Sequence, residues 1–174
     1  MTIEVLSAIS DDEGRQLGDL LTACVEAGAS IGFLVPLARP EAEAYWRKIA
    51  TDLSSGNRVL LVARDAGRIV GSAQLALEAR ANGRHRAEVQ KVMVLPAHRR
   101  RGIAAALMRE IEATARRRQI TLLFLDTSDS HAGARAFYEA LHYVYVGGIP
   151  GYALDTHGTP EPNAIFYKTL AAEA

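Results

Sequence analysis

Residues 92 to 104 of the chain read Val92-Met-Val-Leu-Pro-Ala-His-Arg-Arg-Arg-Gly-Ile-Ala104, and this stretch decides the fold. A hydrophobic strand ends at Pro96, a basic loop follows, and the loop opens at Gly102 onto a stretch of helical periodicity. The backbone N–H groups of a tight turn and of a helix N-terminus point the same way and carry partial positive charge. Because the loop also holds three successive arginines, whose guanidinium groups suit phosphate oxygens, it predicts a site for a phosphorylated ligand. A solvated basic turn that only caps the helix is the alternative.

The loop lacks the signatures of nucleotide-binding proteins. A P-loop requires GxxxxGK[ST] and a dinucleotide-binding fold requires GxGxxG, and neither occurs in the chain. The loop instead reads Arg99-x-x-Gly102-x-Ala104. This pattern resembles the pyrophosphate loop of the GCN5-related N-acetyltransferase (GNAT) superfamily, whose members bind acetyl-coenzyme A (acetyl-CoA).

A second segment carries the same resemblance. Residues 134–143 read ARAFYEALHY, similar to the A-x-x-F-Y-x-x-x-G-F motif of the superfamily, and they follow the first motif after one helix and one strand. Two motifs in the correct order are much more specific than one. The chain departs from the family at two places. His131 stands where asparagine is common, at a position that contacts the coenzyme, and His142-Tyr143 replaces the usual Gly-Phe pair.

The resemblance implies an α/β domain with the GNAT-type acyl-CoA acyltransferase fold. That fold has a mixed, mostly antiparallel and twisted sheet with helices on both faces. The strands Ala87–Leu95 and Ile120–Asp126 then run parallel and splay apart, and the pantetheine arm of the coenzyme enters the gap between them. The resemblance covers nearly the whole chain, and no linker or repeat interrupts it, so residues 1–174 are expected to form a single N-acetyltransferase domain.

Hydrophobic periodicity agrees with the order β-α-α-β-β-β-α-β-α-β-β. The first helix is expected to begin after the capping residue Ser10, and the second at Pro40. The segment 149–163 contains three prolines and two glycines, which predicts a loop. The remaining predicted elements are the strands Ile3–Ala8, Val59–Ala63, Ile69–Leu77, Tyr143–Gly148 and Ile165–Leu170, and the helices Gly102–Arg118 and 132–141.

Composition narrows the class of protein. The 174 residues are 49% hydrophobic, which suits a sizeable core, and the formal net charge of zero gives no global indication of nucleic acid or membrane binding. No signal-peptide pattern occupies Met1–Ser10, and Cys24 is the one cysteine, so a cytoplasmic location is expected. Cys24 lies on an apolar helix face and is predicted to be a buried structural thiol. The five histidines lack metal-ligand spacing, so no metal site is expected.

Two carboxylates are candidates for the catalytic base. Acetyl transfer from a thioester needs a neutral amine, whereas an alkyl amine titrates near 10.4 and is protonated at neutral pH. Glu88 lies fourteen residues before Gly102, which resembles the spacing of histone-type members, and Asp126 lies twelve residues before Tyr138, which resembles members that acetylate ribosomal-protein N-termini. Either residue could instead bind a cationic substrate group. Glu88 could also be an exposed strand residue, and Asp126 a turn or capping residue.

The resemblance assigns further roles. Tyr138 matches the tyrosine that faces the coenzyme sulfur and is expected to give a proton to the leaving thiolate, although a core aromatic would show the same helical spacing. The backbone at Met93 and Val94 is expected to pair with the pantetheine amides and to stabilise the developing oxyanion. The full set expected to bind the coenzyme is Met93, Val94, Arg99, Arg100, Arg101, Gly102, Ile103, Ala104 and His131.

A narrower resemblance concerns the acceptor. The segments 29–33, 86–91, 125–127 and 150–152 look like those of tabtoxin-resistance acetyltransferases, which acetylate a small amino-acid-like toxin. The resemblance therefore implies a toxin or antibiotic acceptor of amino-acid type. Polar side chains on a strand buried under helices are costly without a partner, which supports a small polar acceptor. Residues expected to contact the acceptor are Phe33, Gln90, Lys91 and Tyr152, together with Glu88 and Asp126.

Two other classes of function stay open. Acetylation of a protein N-terminus or lysine would need an open groove, which a long 149–163 loop would tend to close. A non-catalytic module that binds coenzyme A or RNA could use Arg99–Arg101 and Arg116–Arg118, but these clusters lie about 25 Å apart along one helix and do not form one stripe. A homodimer is compatible with the sequence.

Overall fold

The computed structural model describes residues 1–129 and 132–171, with side chains for all of these except Ala132. The helices in these ranges are α1 (Asp11–Glu26), α2 (Arg39–Ser54), α3 (Ile103–Arg117) and α4 (Ala132–Ala140). The strands are β1 (Thr2–Leu6), β2 (Arg58–Asp65), β3 (Arg68–Leu77), β4 (Arg86–Val94), β5 (Leu122–Ser128), β6 (Val144–Gly147), β7 (Ala153–Leu154), β8 (Pro160–Glu161) and β9 (Asn163–Thr169). No helix in the described ranges is long and apolar enough to cross a bilayer.

Seven strands form one mixed sheet in the order β1-β2-β3-β4-β5-β9-β6. Every neighbouring pair is antiparallel except β4 and β5, which are parallel. The parallel pairing covers only Arg86, Ala87 and Glu88 of β4, which match Leu122 to Phe124 of β5. The two strands therefore separate beyond Glu88, and the predicted fold with its splayed parallel pair is confirmed.

Helices cover both faces of the sheet. On β2, Leu60 and Val62 pack into the core under α1 and α2, whereas Leu61 and Ala63 pack into the core under α3. This alternation follows from the two-residue period of a strand, and a strand buried on both faces reads as a continuous apolar run. The helix α4 packs against β5 and β6.

The helix starts follow from local sequence. Ser10 and Glu13 form the predicted capping box at α1, with each side chain bonding the backbone of the other residue. At α3, Ile103, Leu107 and Ile111 are buried as their spacing predicts.

The prediction of a loop over 149–163 is wrong. The strands β7 and β8 form a small antiparallel hairpin in this segment. The N–H of Val35 donates to the Thr156 carbonyl at 2.8 Å, and the N–H of Ile149 donates to Oδ1 of Asn163 at 2.8 Å. Two-residue strands are too short for a hydrophobic period to reveal, so prolines and glycines dominated the sequence signal.

Candidate active site

A long cleft of about 890 Å³ lies where β4 and β5 separate. We call the segment 96–102 the basic loop. It forms one end of the long cleft together with the first turn of α3, and the other end reaches β5 and α4. Seven of the residues expected to bind the coenzyme line it, namely Met93, Val94, Arg99, Arg100, Gly102, Ile103 and Ala104.

The backbone of the basic loop is shaped to turn sharply into α3. Arg100 and Gly102 both have positive φ, 60° and 78°, so two residues of three are left-handed. Gly102 is the N-cap of α3, and no described side chain hydrogen-bonds the first turn. A Cβ at Gly102 would meet nothing within 4 Å. The first-turn residues line the long cleft, and no described side chain bonds their N–H groups, whose partial positive charge suits an anion.

The three arginines of the basic loop diverge. Nε of Arg99 donates to the Val94 carbonyl at 3.3 Å, and both Arg99 and Arg100 line the long cleft. Arg101 is not among the lining residues, because its Nη2 lies 3.2 Å from Oδ2 of Asp65. The structure thus brings two of the three arginines to the cleft.

Met93 and Val94 can contact a ligand in the gap with their backbone groups, because their side chains are buried in the two cores. Met93 is 2% exposed in the core under α1 and α2, and Val94 lies in the opposite core. On one edge these residues pair with β3, at Ser72 and Gly71. Their other edge faces the gap and has no strand partner in the described chain. Such an edge can bond an extended ligand that carries amides.

A second, polar pocket of about 290 Å³ opens from the same gap. Its charged lining residues are Glu88, Lys91, Asp126 and Glu161, and Tyr152 and the β7 residue Ala153 also line it. It shares Ser30, Ile31, Val92, Thr127, Ser128 and Tyr138 with the long cleft. The two cavities therefore meet between the splayed strands.

The two candidate bases lie at the start of the gap. Glu88 is the last β4 residue paired to β5, opposite Phe124, and Asp126 lies two residues further along β5 on the same face. Oε2 of Glu88 accepts from Nε2 of Gln90 at 2.7 Å. Oδ2 of Asp126 lies 3.5 Å from Nδ2 of Asn163, a long contact. No described cationic side chain forms a salt bridge with either carboxylate.

Lys91 owes its position to a β-bulge. Between two matched pairs, β4 advances three residues while β3 advances two, and Lys91 takes a φ of 50°. Its Nζ lies 5.8 Å from the ring centroid of Phe33 and 5.7 Å from that of Tyr45. No described carboxylate forms an ion pair with it. Burial lowers the pKa of Lys91 and the charge of Arg58 adds to this, against the opposing effects of Glu88 and Asp126.

Tyr138 belongs to both the core and the gap. Its ring contacts Phe137, Tyr143 and Phe166, at centroid distances of 5.1, 5.9 and 5.6 Å. The residue is 8% exposed and lines both cavities. Burial raises the pKa of its hydroxyl well above the ordinary value, and the charge of Asp126 adds to this. The hydroxyl therefore stays protonated at neutral pH.

Sequence reasoning missed two residues of the site. His98 lines the long cleft, and its buried Nδ1 has no hydrogen-bond partner in the described chain. Glu161 lines the polar pocket, and its Oε2 accepts from Oγ of Ser128 at 2.8 Å. The HRRR run could have indicated His98, whereas Glu161 lies in the hairpin that was predicted as a loop.

The remaining candidates are placed as follows. Phe33 does not line the polar pocket, but its ring lies 5.8 Å from the ammonium group of Lys91, which does. Tyr152 lines the polar pocket and is 54% exposed. His131 lies outside the described residues. Cys24 is 1% exposed, and burial raises the pKa of its thiol, which lies 3.5 Å from the Val94 carbonyl oxygen. Its predicted burial is confirmed. The described residues contain no cluster of three metal-ligating side chains.

Comparison with known proteins decides the family. The sequence model of the Acetyltransferase (GNAT) family matches residues 22–143. A protein of Azospirillum brasilense, described as an uncharacterized N-acetyltransferase in the hisH-hisA intergenic region, is 33% identical over 132 residues, which are 75% of this chain and 77% of that protein. The chain belongs to the GNAT family of acetyltransferases.

Solved structures support the GNAT fold. A ribosomal-protein-alanine N-acetyltransferase from Brucella melitensis superposes with a TM-score of 0.82 at 20% identity, over 98% of this chain and 100% of that one. The yncA protein of Salmonella typhimurium, solved with its cofactor acetyl-CoA, superposes with a TM-score of 0.78 at 15% identity, over 100% of this chain and 97% of that one. Identities this low are evidence for the fold alone. With the family match, the chain is an acetyl-CoA-dependent N-acetyltransferase.

Proposed function

We propose that this N-acetyltransferase acetylates the amine of a small amino-acid-like acceptor, of the type that tabtoxin-resistance enzymes modify. One observation carries the proposal. A polar pocket opens into the long cleft beside Tyr138, and it holds the carboxylates of Glu88 and Asp126 and the ammonium group of Lys91, none of which forms a salt bridge within the described residues. A zwitterionic acceptor matches such a pocket, because its ammonium and carboxylate groups each meet the opposite charge.

The long cleft fits acetyl-CoA, which supplies the acetyl thioester when it is bound. The first-turn N–H groups of α3, with Arg99 and Arg100, would hold the pyrophosphate. The backbone edge of Met93 and Val94 that faces the gap would pair with the amides of the pantetheine arm and donate to the carbonyl oxygen. Arg101 and His131 stay predicted contacts of the coenzyme.

On the acceptor side, Glu88 and Asp126 would take the proton from the substrate ammonium, directly or through water. Lys91 would bind the acceptor carboxylate, with Gln90 and Tyr152 beside it. The ordinary pKa of an alkyl amine is near 10.4, so the free base is scarce at neutral pH and a nearby carboxylate gives a real advantage.

Tyr138 would donate its proton to the departing thiolate. A raised pKa makes it a weak acid, but it keeps the proton in place until charge develops on the sulfur. The residue lines both cavities, so it stands where the two substrates would meet.

The size of the polar pocket supports a small acceptor over a protein chain. Its volume of about 290 Å³ suits a molecule of amino-acid size. The hairpin β7–β8 lies over its outer side and is tied to the loop before α2 through the bond between Val35 and Thr156.

A screen of acceptors tests the proposal. Purified protein and acetyl-CoA are offered the twenty protein amino acids, ornithine, 2,4-diaminobutyrate, amine antibiotics and alanine-terminal peptides, and thiol release is followed. We expect turnover with one or more amino-acid-like acceptors and little with peptides. Turnover with peptides alone would overturn the proposal and favour protein acetylation, and coenzyme A binding without any turnover would favour a binding module.

We also infer that residues 1–174 form one domain, that the protein acts in the cytoplasm and that its role is resistance to a toxin. The homodimer stays a prediction.

A further inference from the structure

We propose that Arg58 is a positioning residue for Glu88 and acts on it through Gln90. The inference rests on the proposed catalytic role of Glu88. Arg58 lies at the start of β2, on the face that α2 covers, and touches neither cavity.

The guanidinium of Arg58 joins three strands to a helix. Its Nε lies 3.2 Å from Oδ2 of Asp52 on α2. Its Nη1 donates to Oε1 of Gln74 on β3 at 2.9 Å and to Oε1 of Gln90 on β4 at 2.7 Å. The side chain of Arg58 is 14% exposed, so these bonds form in a weakly screened environment.

The Arg58 contact fixes which way the Gln90 amide faces. Arginine has donors only, so the oxygen of the amide must face Arg58. The NH₂ group is then turned towards Glu88, and it donates to Oε2 at 2.7 Å. Without Arg58, the amide could rotate and present its oxygen to the carboxylate, which would repel it. Arg58 thus determines that Gln90 holds Glu88 rather than pushes it away.

The far end of the network is rigid. Gln74 is fully buried, and its amide and the hydroxyl of Tyr45 are hydrogen-bonded at about 3 Å. Burial is the main reason that the pKa of Tyr45 rises to about 12, so this hydroxyl stays neutral at physiological pH.

The consequence for Glu88 is geometric. Gln90 is its one hydrogen-bond donor among the described side chains, and it binds a single carboxylate oxygen. The other oxygen is left for the acceptor amine or for a bridging water. Although Glu88 is opposite Phe124 of β5, no described β5 side chain bonds its carboxylate, so the direction of the carboxylate depends on the bond from Gln90 of its own strand.

The test compares Arg58→Met, Gln90→Leu and the conservative Arg58→Lys, each alone and with Glu88→Gln. Arg64→Met is the control, because Arg64 is a similarly buried arginine of β2, 17% exposed, that pairs with Glu4 and Glu13 instead. Turnover is measured by thiol release with a mixture of the acceptor amino acids named above. Crystal structures of the variants with coenzyme A give the position of the Glu88 carboxylate.

We expect Arg58→Met and Gln90→Leu to lower kcat by about 10- to 100-fold, with an unchanged KM for acetyl-CoA and partial recovery in Arg58→Lys. In the Glu88→Gln background, neither change should lower kcat further, because their effects pass through Glu88. Arg64→Met should lower thermal stability and leave kcat unchanged. If Arg58→Met fails to fold, Gln90→Leu carries the same test.

Three results would overturn the inference. They are wild-type kcat in Gln90→Leu, an equal further loss in the Glu88→Gln background, and a Glu88 carboxylate that keeps its position in the Gln90→Leu crystal structure. If wild-type protein acetylates nothing in the mixture, the proposed function fails, and the crystal structures still decide whether Arg58 and Gln90 position Glu88.

Discussion

The long cleft and the polar pocket meet at one gap, but they are built differently. The anion end of the long cleft comes from one continuous stretch, residues 92–104, and it offers mostly backbone groups. The polar pocket collects charged side chains from β4, β5 and the β7–β8 hairpin. The proposed coenzyme site therefore depends on local backbone geometry, whereas the proposed acceptor site depends on side chains that are distant from one another in the sequence.

The largest expected effect is a loss of coenzyme A binding that leaves the polar pocket intact. Gly102→Glu places a negative charge where the pyrophosphate is expected and forces a side chain onto a φ of 78°. We expect the affinity for coenzyme A, measured by calorimetry, to fall by roughly 100-fold or more, which is about 2.8 kcal/mol. Gly56→Glu is the matched control, since Gly56 has a φ of 76°, similar free space, and a position in the α2–β2 turn. Equal affinity in the two variants would show that the basic loop is not the site.

The next effect concerns the place where the two cavities meet. Tyr138→Phe should lower kcat by up to about 100-fold while acetyl-CoA still binds, since the hydroxyl acts mainly as charge develops on the sulfur. Tyr143→Phe serves as the control, because this buried neighbouring hydroxyl has no partner in the described chain. Wild-type turnover in Tyr138→Phe with an acceptor whose chemistry limits the rate would make Tyr138 a core residue only.

The third prediction tests whether Glu88 and Asp126 remove the proton from the acceptor amine. With Glu88→Gln and Asp126→Asn, we expect turnover to fall by about 10- to 50-fold at low pH. The loss should narrow as pH rises, because more of the acceptor is then already a free amine. A residue that only binds the ammonium would instead raise the acceptor KM with kcat preserved. Near wild-type kcat and KM in both variants from about pH 6 to 9 would assign proton removal to solvent or to another group.

The smallest expected effect tests whether Lys91 binds the carboxylate of a zwitterionic acceptor. Lys91→Met should raise the KM for an amino-acid acceptor by about tenfold and leave kcat unchanged, because a charge-assisted bond to the carboxylate is lost. The same KM should rise in wild-type protein at alkaline pH. The pKa of Lys91 is lowered by burial, so its ammonium is lost at a lower pH than that of a free lysine. Lys48→Met, on the exposed side of α2, is the control. An unchanged KM in Lys91→Met would show that Lys91 does not bind the acceptor carboxylate.

The sequence predicted the position of the basic loop better than the lining of the polar pocket, for a physical reason. The strand, the turn at Gly102 and α3 are local, and their residues interact within a few positions of one another. Glu161 could not be placed because its hairpin is too short to show a period. Arg58 reaches Gln90 only through strand register, and the bulge that redirects Lys91 appears only once β3 and β4 are paired. His142 stands where the family motif has glycine. The residue takes a left-handed φ of 63°, a conformation that a glycine would adopt easily.

The central claim is that the two substrates meet between β4 and β5, and a crystal structure with acetyl-CoA tests it most directly. The account predicts the pyrophosphate at the first turn of α3, the pantetheine arm along the edge of Met93 and Val94 that faces the gap, and the sulfur within hydrogen-bond reach of the Tyr138 hydroxyl. The acetyl group should then face the polar pocket and its carboxylates. A coenzyme bound elsewhere, or an acetyl group directed away from Glu88 and Asp126, would contradict the account.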